Sequence, residues 1–424
     1  MINRLLNQQQ INLPMPAAVL YFKVHQPYRL RKYGNTDVDA LHHYIDEAAT
    51  AAAINIVSET CYLPSNKILL DLLRENNGNF KIAFSISGVT LELLEKYRPD
   101  VLKSFRQLTR TGYVEIMAET YYNSFSWLHC KKEFERQIKK HDAIVKRLLG
   151  VEPKVFRNTE LIYNNELAKY INHLGYKGIL CEGLYRILQG KTANQVYAVP
   201  DNGDFGVLLR NVNLSDDIAF RFGEMSWSEF PLTAEKFAGW LHFHADDTNV
   251  INIFLDYETF GVYKKKETGI FDFLKYLPAA VLAREGMEFC TPSEALEKFY
   301  PSAIYNVPQT ISWEDKSTEN CVWCETMEQN NTLKKLYSLA NMVFASEDES
   351  IIERWSQLQS AEYFFYMNSE KKYSDSHPYL HNPYCCCDEA YKNFMNILTD
   401  LEITLIKNNL QQFKKQSQTF NHIY

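Results

Sequence analysis

The first 300 residues alternate short β-rich runs with longer stretches of helical periodicity, and this alternation constrains the fold more than any other feature. Strands are predicted at 17–24, 80–86, 113–117, 153–156, 177–180, 207–209, 250–255 and 287–290. Helices are predicted between them at 68–75, 89–109, 130–149 and 165–174. Strands that alternate with helices predict a parallel sheet, and seven or eight such units predict that the sheet closes into a barrel.

The β signal fades after about residue 300. Three helices are predicted beyond it, at 333–344, 351–365 and 389–414, with polar loops between them. The chain is therefore expected to divide into an N-terminal extension (1–16), a barrel (17–300) and a helical C-terminal domain (301–424). A chain of 424 residues is long enough for two domains.

The charge and the cysteine content of the chain limit which partners and which cellular compartment are expected. The formal net charge is −7, and acidic and basic residues are interspersed along the chain, which predicts no nucleic-acid partner. No run of 18 apolar residues is present, and the first residues lack the apolar centre of a secretory signal, so we expect no membrane association. Nine cysteines, including the adjacent trio 385–387, resemble no disulfide framework. A reducing, cytoplasmic location is therefore predicted.

Two of the predicted strands end in carboxylates. The apolar run 250–255 is followed by Asp256 and Glu258, and the run 154–156 is followed by Arg157 and Glu160. Parallel α/β folds bind their ligands at the carboxyl ends of the strands. A pair of carboxylates is also the arrangement that hydrolyses glycosidic bonds. The hypothesis is a paired-carboxylate site formed by Glu160 and Asp256.

The neighbours of these two residues suggest different roles for them. A guanidinium at Arg157 could keep a nearby carboxylate ionised, as a nucleophile requires. In extended backbone Asp256 and Glu258 face the same side, and two close like charges raise the pKa of one of them, which suits a general acid. The alternative for the segment 256–258 is a solvated acidic turn.

Two further polar residues have both an ordinary and a functional interpretation. His25 follows the first strand and precedes Pro27, so it is either a turn residue or a hydrogen-bonding partner of a substrate. Glu115 falls inside the third strand and either faces outward or belongs to a polar site. The content of 27 Tyr, 25 Phe and 6 Trp suits stacking on sugar rings, but it suits ordinary core packing as well.

Metal and cofactor motifs are weak. One group combines a C-x-x-C pair with members of the cysteine trio, namely Cys321, Cys324, Cys385 and Cys387, and lacks the spacing of a zinc ribbon. The other comprises His242, His244, Asp246 and Asp247, which is better explained as a polar loop. Because Gly-rich phosphate loops and G-x-S-x-G elbows are missing too, no cofactor and no catalytic metal are expected.

Taken together, the strand ends resemble the five sequence regions of glycoside hydrolase family 57. Residues 25–30 (HQPYRL) look like the first region and residues 112–116 (GYVEI) like the second. The third and fourth, which are the specific ones, are similar to residues 156–163 (FRNTELIY) and 255–261 (LDYETFG). Residues 291–295 (TPSEA) and 311–313 (ISW) resemble the last region and an aromatic substrate platform. The resemblance extends over roughly residues 17–400.

This resemblance implies a distorted (β/α)7 barrel followed by a helical C-terminal domain that contributes to the substrate cleft. The implied reaction is the retaining hydrolysis of internal α-1,4-glucosidic bonds in starch, glycogen or maltodextrin, without a required metal. Glu160 would be the nucleophile and Asp256 the acid/base. The implied substrate-binding residues, which include two that would tune these charges, are His25, Glu115, Arg157, Glu258 and Trp313.

Two positions depart from the α-amylase pattern of that family. Gly261 is followed by residues 262–265 (VYKK) where related amylases usually have Gly-Glu-His-Gln, and Asn123 stands where they often have histidine. Three other functions therefore stay open. They are a 4-α-glucanotransferase or branching enzyme with the same carboxylate pair, a non-catalytic glucan-binding protein, and a metal-dependent polysaccharide deacetylase. The last would need an Asp and two His around a metal, which the sequence does not show.

Overall fold

A computed structural model describes residues 14–40, 42–245, 249–313, 325–368 and 383–421, with side chains of the final helix described as far as residue 410. Within this part of the chain ten strands form one sheet. They are β1 Ala17–Val24, β2 Ile82–Ile86, β3 Val114–Ile116, β4 Val155–Arg157, β5 Gly178–Glu182, β6 Val196–Val199, β7 Asn202–Arg210, β8 Val250–Asp256, β9 Glu288–Phe289 and β10 Ala303–Ile304.

Seven of these strands run parallel to one another and close into a ring. The order is β1, β2, β3, β4, β5, β7 and β8, and β8 pairs again with β1. Two seams of the ring are narrow, because β3 meets β4 only through the bridge between Ala118 and Phe156, and β7 meets β8 only at Arg210 and Asn252. The prediction of a distorted (β/α)7 barrel is confirmed.

The strands are buried on both faces, as parallel strands covered by helices must be. Seven of the eight residues of β1 are buried, and so are six of the seven in β8. The small strand β6 is antiparallel to β7, and β10 adds to the outer edge of β6. The sheet therefore continues slightly beyond residue 300, where the sequence predicted the end of the barrel.

Helices cover the outside of the ring and make up most of the remainder. They are α1 Glu47–Val57, α2 Leu63–Glu75, α3 Gly88–Tyr97, α4 Pro99–Thr109, α5 Ser126–His129, α6 Lys131–Leu149, α7 Asn165–His173, α8 Tyr185–Leu188, α9 Val212–Asp216, α10 Ala234–Phe243, α11 Ile270–Leu282, α12 Pro292–Lys298, α13 Met327–Ser338, α14 Ala340–Ala345, α15 Glu349–Gln357, α16 Ala361–Phe365 and α17 Cys387–Asn421. The single helix predicted at 89–109 is two helices, because Pro99 lacks an N–H and begins a new first turn.

The C-terminal helices pack directly on the barrel. One hydrophobic core contains Phe125 and Phe156 from the barrel together with Trp355, Phe364 and Phe394 from the helical region. The rings of Phe125 and Phe364, for example, lie 6.0 Å apart between centroids. In the part of the chain that is described, no helix combines the length and the apolar character needed to cross a membrane.

Candidate active site

A pocket opens where the carboxyl ends of the barrel strands meet, and both predicted catalytic carboxylates line it. It has an open volume of about 610 Å³. The side chains around it are Tyr21, Lys23, Arg157, Glu160, Leu161, Arg210, Ala219, Phe220, Phe254, Leu255, Asp256, Thr259, Tyr263 and Trp313. Of the predicted site residues, the pocket thus brings together Arg157, Glu160, Asp256 and Trp313.

An unusual backbone conformation aims Glu160 into this pocket. Glu160 and Leu161 have φ values of 53° and 50°, in the left-handed region that non-glycine residues rarely adopt. The turn is held by backbone hydrogen bonds, in which the N–H of Trp313 donates to the carbonyl of Glu160 and Tyr163 pairs with Ile311. Strained backbone of this kind persists only where the surroundings fix it, and it is concentrated at functional sites.

Each carboxylate oxygen of Glu160 accepts one hydrogen bond from a pocket side chain. Lys23 Nζ lies 3.0 Å from Oε1, and the indole Nε1–H of Trp313 donates to Oε2 at 2.6 Å. Burial alone would raise the pKa of the Glu160 carboxyl, but the charges of Lys23 and Arg157 outweigh it and leave the pKa below its usual value. Glu160 is therefore an anion at neutral pH.

Lys23 is the main site residue that the sequence analysis missed. It lies near the end of β1, directly beside Asp256 in the register of β1 with β8. Its ammonium is buried, and the nearby charges of Glu160 and Asp256 raise its pKa despite that burial. A lysine two residues after the inward-facing Tyr21 of an otherwise apolar strand was the available signal.

Arg157 has a different partner from the one predicted. Its Nη1 donates to Asn123 Oδ1 at 3.0 Å and lies 3.5 Å from Glu119 Oε2. The bidentate pair expected with a neighbouring carboxylate is absent among the described contacts, because Glu119 and Asn123 follow the adjacent strand β3. Arg157 acts on Glu160 only through its charge.

Glu258 lies behind the pocket rather than in it. The carboxylate is buried and accepts hydrogen bonds from Tyr62 Oη at 2.5 Å and Gln26 Nε2 at 3.3 Å. Burial, and after it the charge of Asp256, raises the pKa of Glu258 to about 7. Close like charges were expected to raise the pKa of one of these two carboxyls, and the raised pKa belongs to Glu258, the more deeply buried of the two.

His25 links the barrel to the helical region. Its Nδ1 lies 2.6 Å from Ser87 Oγ, and its Nε2 lies 3.0 Å from Glu362 Oε2 and 3.2 Å from Ser360 Oγ. Both ring nitrogens are thus engaged by protein groups, and His25 is not among the residues that line the pocket. In this structure His25 connects β1 to α3 and to the C-terminal helices, and its role in binding sugar stays a prediction.

Glu362, at the start of α16, is a second buried anion that the sequence analysis missed. Although desolvation opposes the shift, the charge and hydrogen bond of His25, the charge of Lys23 and the hydrogen bond of Ser360 hold its pKa well below the usual range. The atypical Asn123 donates to its Oε1 at 3.2 Å while accepting from Arg157. Asn123 therefore connects the C-terminal helices to the arginine of the pocket.

Glu115 lies away from the pocket. Its Oε2 accepts the backbone N–H of Ser293 at 2.8 Å, in the first turn of α12. Burial raises the pKa of this carboxyl, although the N–H of Ser293 opposes the shift. Its observed partner is thus a helix terminus at the start of α12.

Aromatic residues complete the walls of the pocket. Trp313 stacks on Phe220 with centroids 6.4 Å apart and planes 11° apart. The atypical segment after Gly261 places Tyr263 in the wall, and Lys264 Nζ donates to the carbonyl of Phe220 at 2.7 Å. Gly261 itself has φ 107°, and a Cβ there would lie 1.9 Å from the carbonyl oxygen of Thr60, so only glycine fits.

The structure gives no support to the two groups of residues considered above as metal ligands. The described residues contain no group of three or more His, Cys, Asp or Glu side chains arranged to hold an ion. His242 Nε2 lies 2.9 Å from the carbonyl of Val281. Cys385 and Cys387 are free thiols. His244 packs against the ring of Phe243, with centroids 5.6 Å apart. The other members of the two predicted groups, Cys321, Cys324, Asp246 and Asp247, lie outside the described residues.

The fold and the pocket define a class of protein. A closed parallel barrel with two acidic side chains in one pocket at the carboxyl ends of its strands is the architecture of a (β/α)-barrel enzyme that works through carboxylates.

Comparison with known proteins gives the family. The model of glycosyl hydrolase family 57 matches residues 19–308. A protein of Methanocaldococcus jannaschii, provisionally named an α-amylase, is 38% identical over 396 residues, which are 90% of this chain and 83% of the relative. The chain belongs to glycosyl hydrolase family 57 and is a glycoside hydrolase.

Solved structures support the fold. The 4-α-glucanotransferase of Thermococcus litoralis aligns with a TM-score of 0.65 and 19% identity, covering 83% of this chain and 56% of that one. A family 57 branching enzyme of Thermococcus kodakaraensis aligns with a TM-score of 0.63 and 16% identity, covering 83% of this chain and 86% of that one. At these identities the likeness concerns the fold alone.

Proposed function

We propose that this protein hydrolyses internal α-1,4-glucosidic bonds of an α-glucan with retention of configuration, through Glu160 as nucleophile and Asp256 as acid/base. The observation that carries the proposal is the pairing of two carboxylates in one pocket, one of which is held ionised by a buried lysine. Retention requires carboxyl groups roughly 5–5.5 Å apart in the working site, and we predict that spacing here.

In the first step Glu160 attacks the anomeric carbon while Asp256 protonates the leaving oxygen. The nucleophile must be anionic, and the ammonium of Lys23 and the indole N–H of Trp313 favour that state. As the glycosyl–enzyme bond forms, the negative charge on Glu160 disappears. Asp256 becomes an anion in the same step. The ammonium of Lys23, its neighbour across β1 and β8, then balances the charge of Asp256.

In the second step Asp256 accepts a proton from water, which attacks the anomeric carbon from the face that the first leaving group vacated. Two inversions give net retention. The negative charge returns to Glu160 and is again balanced by Lys23. The ammonium of Lys23 thus lies near both reacting carboxylates, so the pocket needs little rearrangement between the steps.

The choice of an α-glucan rests on the relatives and on the aromatic wall. The Methanocaldococcus jannaschii relative carries a provisional α-amylase name, and the Thermococcus litoralis structure is a 4-α-glucanotransferase. Trp313 and Phe220 present stacked rings beside Glu160, where a pyranose ring would lie.

A 4-α-glucanotransferase or branching enzyme is the second candidate, because relatives of the same fold have those names. The two activities differ in whether water or a sugar hydroxyl enters in the second step. Incubation of the purified protein with maltoheptaose separates them by chromatography of the products. Products that are all shorter than maltoheptaose support hydrolysis, whereas longer products would replace it by transfer.

The same assay tests the non-catalytic alternative. Glucan that is bound without any released reducing ends would overturn the proposal. The matched control is Glu160→Gln, which removes the nucleophile but keeps the shape of the side chain and one oxygen that can accept from Lys23 or Trp313. If the wild type and this variant give equal reducing-end release, the measured activity does not belong to the pocket.

A further inference from the structure

A second groove lies at the same end of the barrel as the active-site pocket. Its walls come from the segments that follow β5 and β7 and from the C-terminal half of α10. It is larger than the pocket, with an open volume of about 1050 Å³. None of the predicted catalytic or substrate-binding residues lines it, so the mechanism does not use it.

One chain segment separates the groove from the active site. Arg210 and Phe220 line the active-site pocket, whereas Asn211 and Asp217 line the groove. Residues 210–221 are therefore a shared wall with one face toward each depression. Because the two openings adjoin on the same end of the barrel, a long polymer that enters one passes close to the other.

The groove exposes large aromatic side chains. Tyr185 is 70% exposed and Phe243 is 80% exposed, although both are large and apolar. Trp227 and Trp240 also line the groove and pack edge to face with centroids 6.0 Å apart, and Arg221 lies over Trp227. Clustered exposed aromatics mark binding surfaces, and rings held by neighbours lose little freedom when a ligand stacks on them.

The polar groups of the groove are mostly neutral amides and hydroxyls. Asn213 Nδ2 donates to Tyr185 Oη at 2.8 Å, and Asn211 Nδ2 donates to Asn194 Oδ1 at 2.8 Å. Such groups donate to and accept from hydroxyls with equal ease.

Charge gives the groove no preference for an anionic ligand. The acidic side chains that line it are Asp217 and Glu229, and one lysine, Lys191, lines it as well. Asp217 is already paired with Arg221. A neutral polyhydroxylated ligand with apolar ring faces fits this surface, whereas a nucleic acid or an anionic lipid head group would meet no excess of positive charge.

We propose that this groove is an accessory α-glucan-binding site, which holds a stretch of the polymer outside the catalytic pocket through Tyr185, Phe243 and the neighbouring amides. The proposal rests on the proposed function for the identity of the glucan. It makes the groove a determinant of preference for long over short substrates, while cleavage itself stays with Glu160 and Asp256.

The test combines binding and kinetics in the full-length protein. Tyr185→Ala/Phe243→Ala removes the two exposed rings, and Tyr300→Ala is the matched control, since Tyr300 is 90% exposed and lines neither depression. Electrophoresis through gels that contain glycogen measures binding, with Glu160→Gln in every protein to prevent turnover. Loss of two stacking rings is expected to weaken the affinity for glycogen, read from the retardation, roughly tenfold.

In the catalytically intact background the double variant is expected to lose kcat/KM on glycogen by a similar factor. Its kcat/KM on the short substrate maltotriosyl fluoride should stay within about twofold of wild type. Equal retardation of the double variant and the control would overturn the proposal, as would equal losses on glycogen and on the short substrate.

The outcome also separates this proposal from the proposed function. A wild-type protein that cleaves neither substrate, yet loses glycogen retardation when Tyr185 and Phe243 are replaced, would leave the groove assigned and the catalytic assignment wrong. If the wild type cleaves maltotriosyl fluoride but glycogen retardation does not change when both rings are removed, the catalytic assignment would stand and the groove assignment would be wrong. Thermal unfolding and a second variant, Asn213→Ala, check that lost binding does not reflect lost folding.

Discussion

Replacing Lys23 by methionine tests the electrostatics of the pocket most directly. Methionine keeps much of the length of the side chain but removes the ammonium 3.0 Å from Glu160 Oε1. At that separation and an effective dielectric constant of about 20, Coulomb's law gives about 5.5 kcal/mol for the pair, which is a ceiling. Removing one member of a buried ion pair costs about 3–5 kcal/mol, because the other charge is left uncompensated.

The pH dependence follows from the direction of the pKa shift. The folded-state pKa of Glu160 is lowered, so its stabilising contribution is complete above the unfolded pKa of about 4.3 and is lost as the pH falls through the folded value. Without Lys23, burial is expected to raise the pKa of Glu160. The variant should therefore be least stable relative to wild type near neutral pH, and the difference should shrink in acid.

Two assays measure these effects. A double-mutant cycle with Lys23→Met and Glu160→Gln, followed by urea unfolding at pH 7, should give a coupling free energy of about 2–4 kcal/mol. The acidic limb of kcat/KM on an activated glycoside should move to higher pH in Lys23→Met, because that limb reports the ionisation of the nucleophile in the free enzyme.

The control is Lys140→Met, which removes a lysine 2.7 Å from Glu353 in a pair that is about a third exposed and lies outside the pocket. Its coupling with Glu353 should not exceed about 1 kcal/mol, and the pH profile of kcat/KM should not move. A coupling below about 0.5 kcal/mol for Lys23 and Glu160, together with an unshifted acidic limb, would refute the idea that Lys23 sets the charge of the nucleophile.

Four other variants test the assigned roles. With azide and an activated substrate, Asp256→Asn should release the α-glycosyl azide through the covalent intermediate, whereas Glu160→Gly should release the β-azide; the reverse stereochemistry, read by NMR, would exchange the two roles. Trp313→Phe removes one hydrogen bond to a charged acceptor. It should lower kcat/KM on the same activated substrate roughly ten- to hundredfold, and an unchanged value would mean that the indole N–H contributes nothing to catalysis. Glu258 has a pKa raised to about 7, so the folded state binds a proton that the unfolded state releases near pH 4.3. Wild-type stability should then fall by about 1.4 kcal/mol per pH unit across that window, and Glu258→Gln should abolish the slope in denaturant unfolding; the same slope in both proteins would contradict the shift.

The sequence by itself determined the barrel and the place of the two carboxylates that we propose as catalytic. Apolar runs of three to eight residues that alternate with helical periodicity have few solutions other than a covered parallel sheet. A carboxylate placed directly after such a run must lie at the carboxyl edge of the sheet, whichever way the neighbouring loops run. Glu160 and Asp256 were therefore predictable from local order along the chain.

Only the tertiary structure decided which groups act on that pair. Lys23 and Glu160 are 137 residues apart, and His25 and Glu362 are 337 apart, so no local pattern joins them. The sequence assigned His25 and Arg157 to substrate and nucleophile, but their direct partners are residues of adjacent strands and of the C-terminal helices. A buried charge takes the nearest opposite charge or donor, and which one is nearest depends on how the ring closes and where the helical region packs against it.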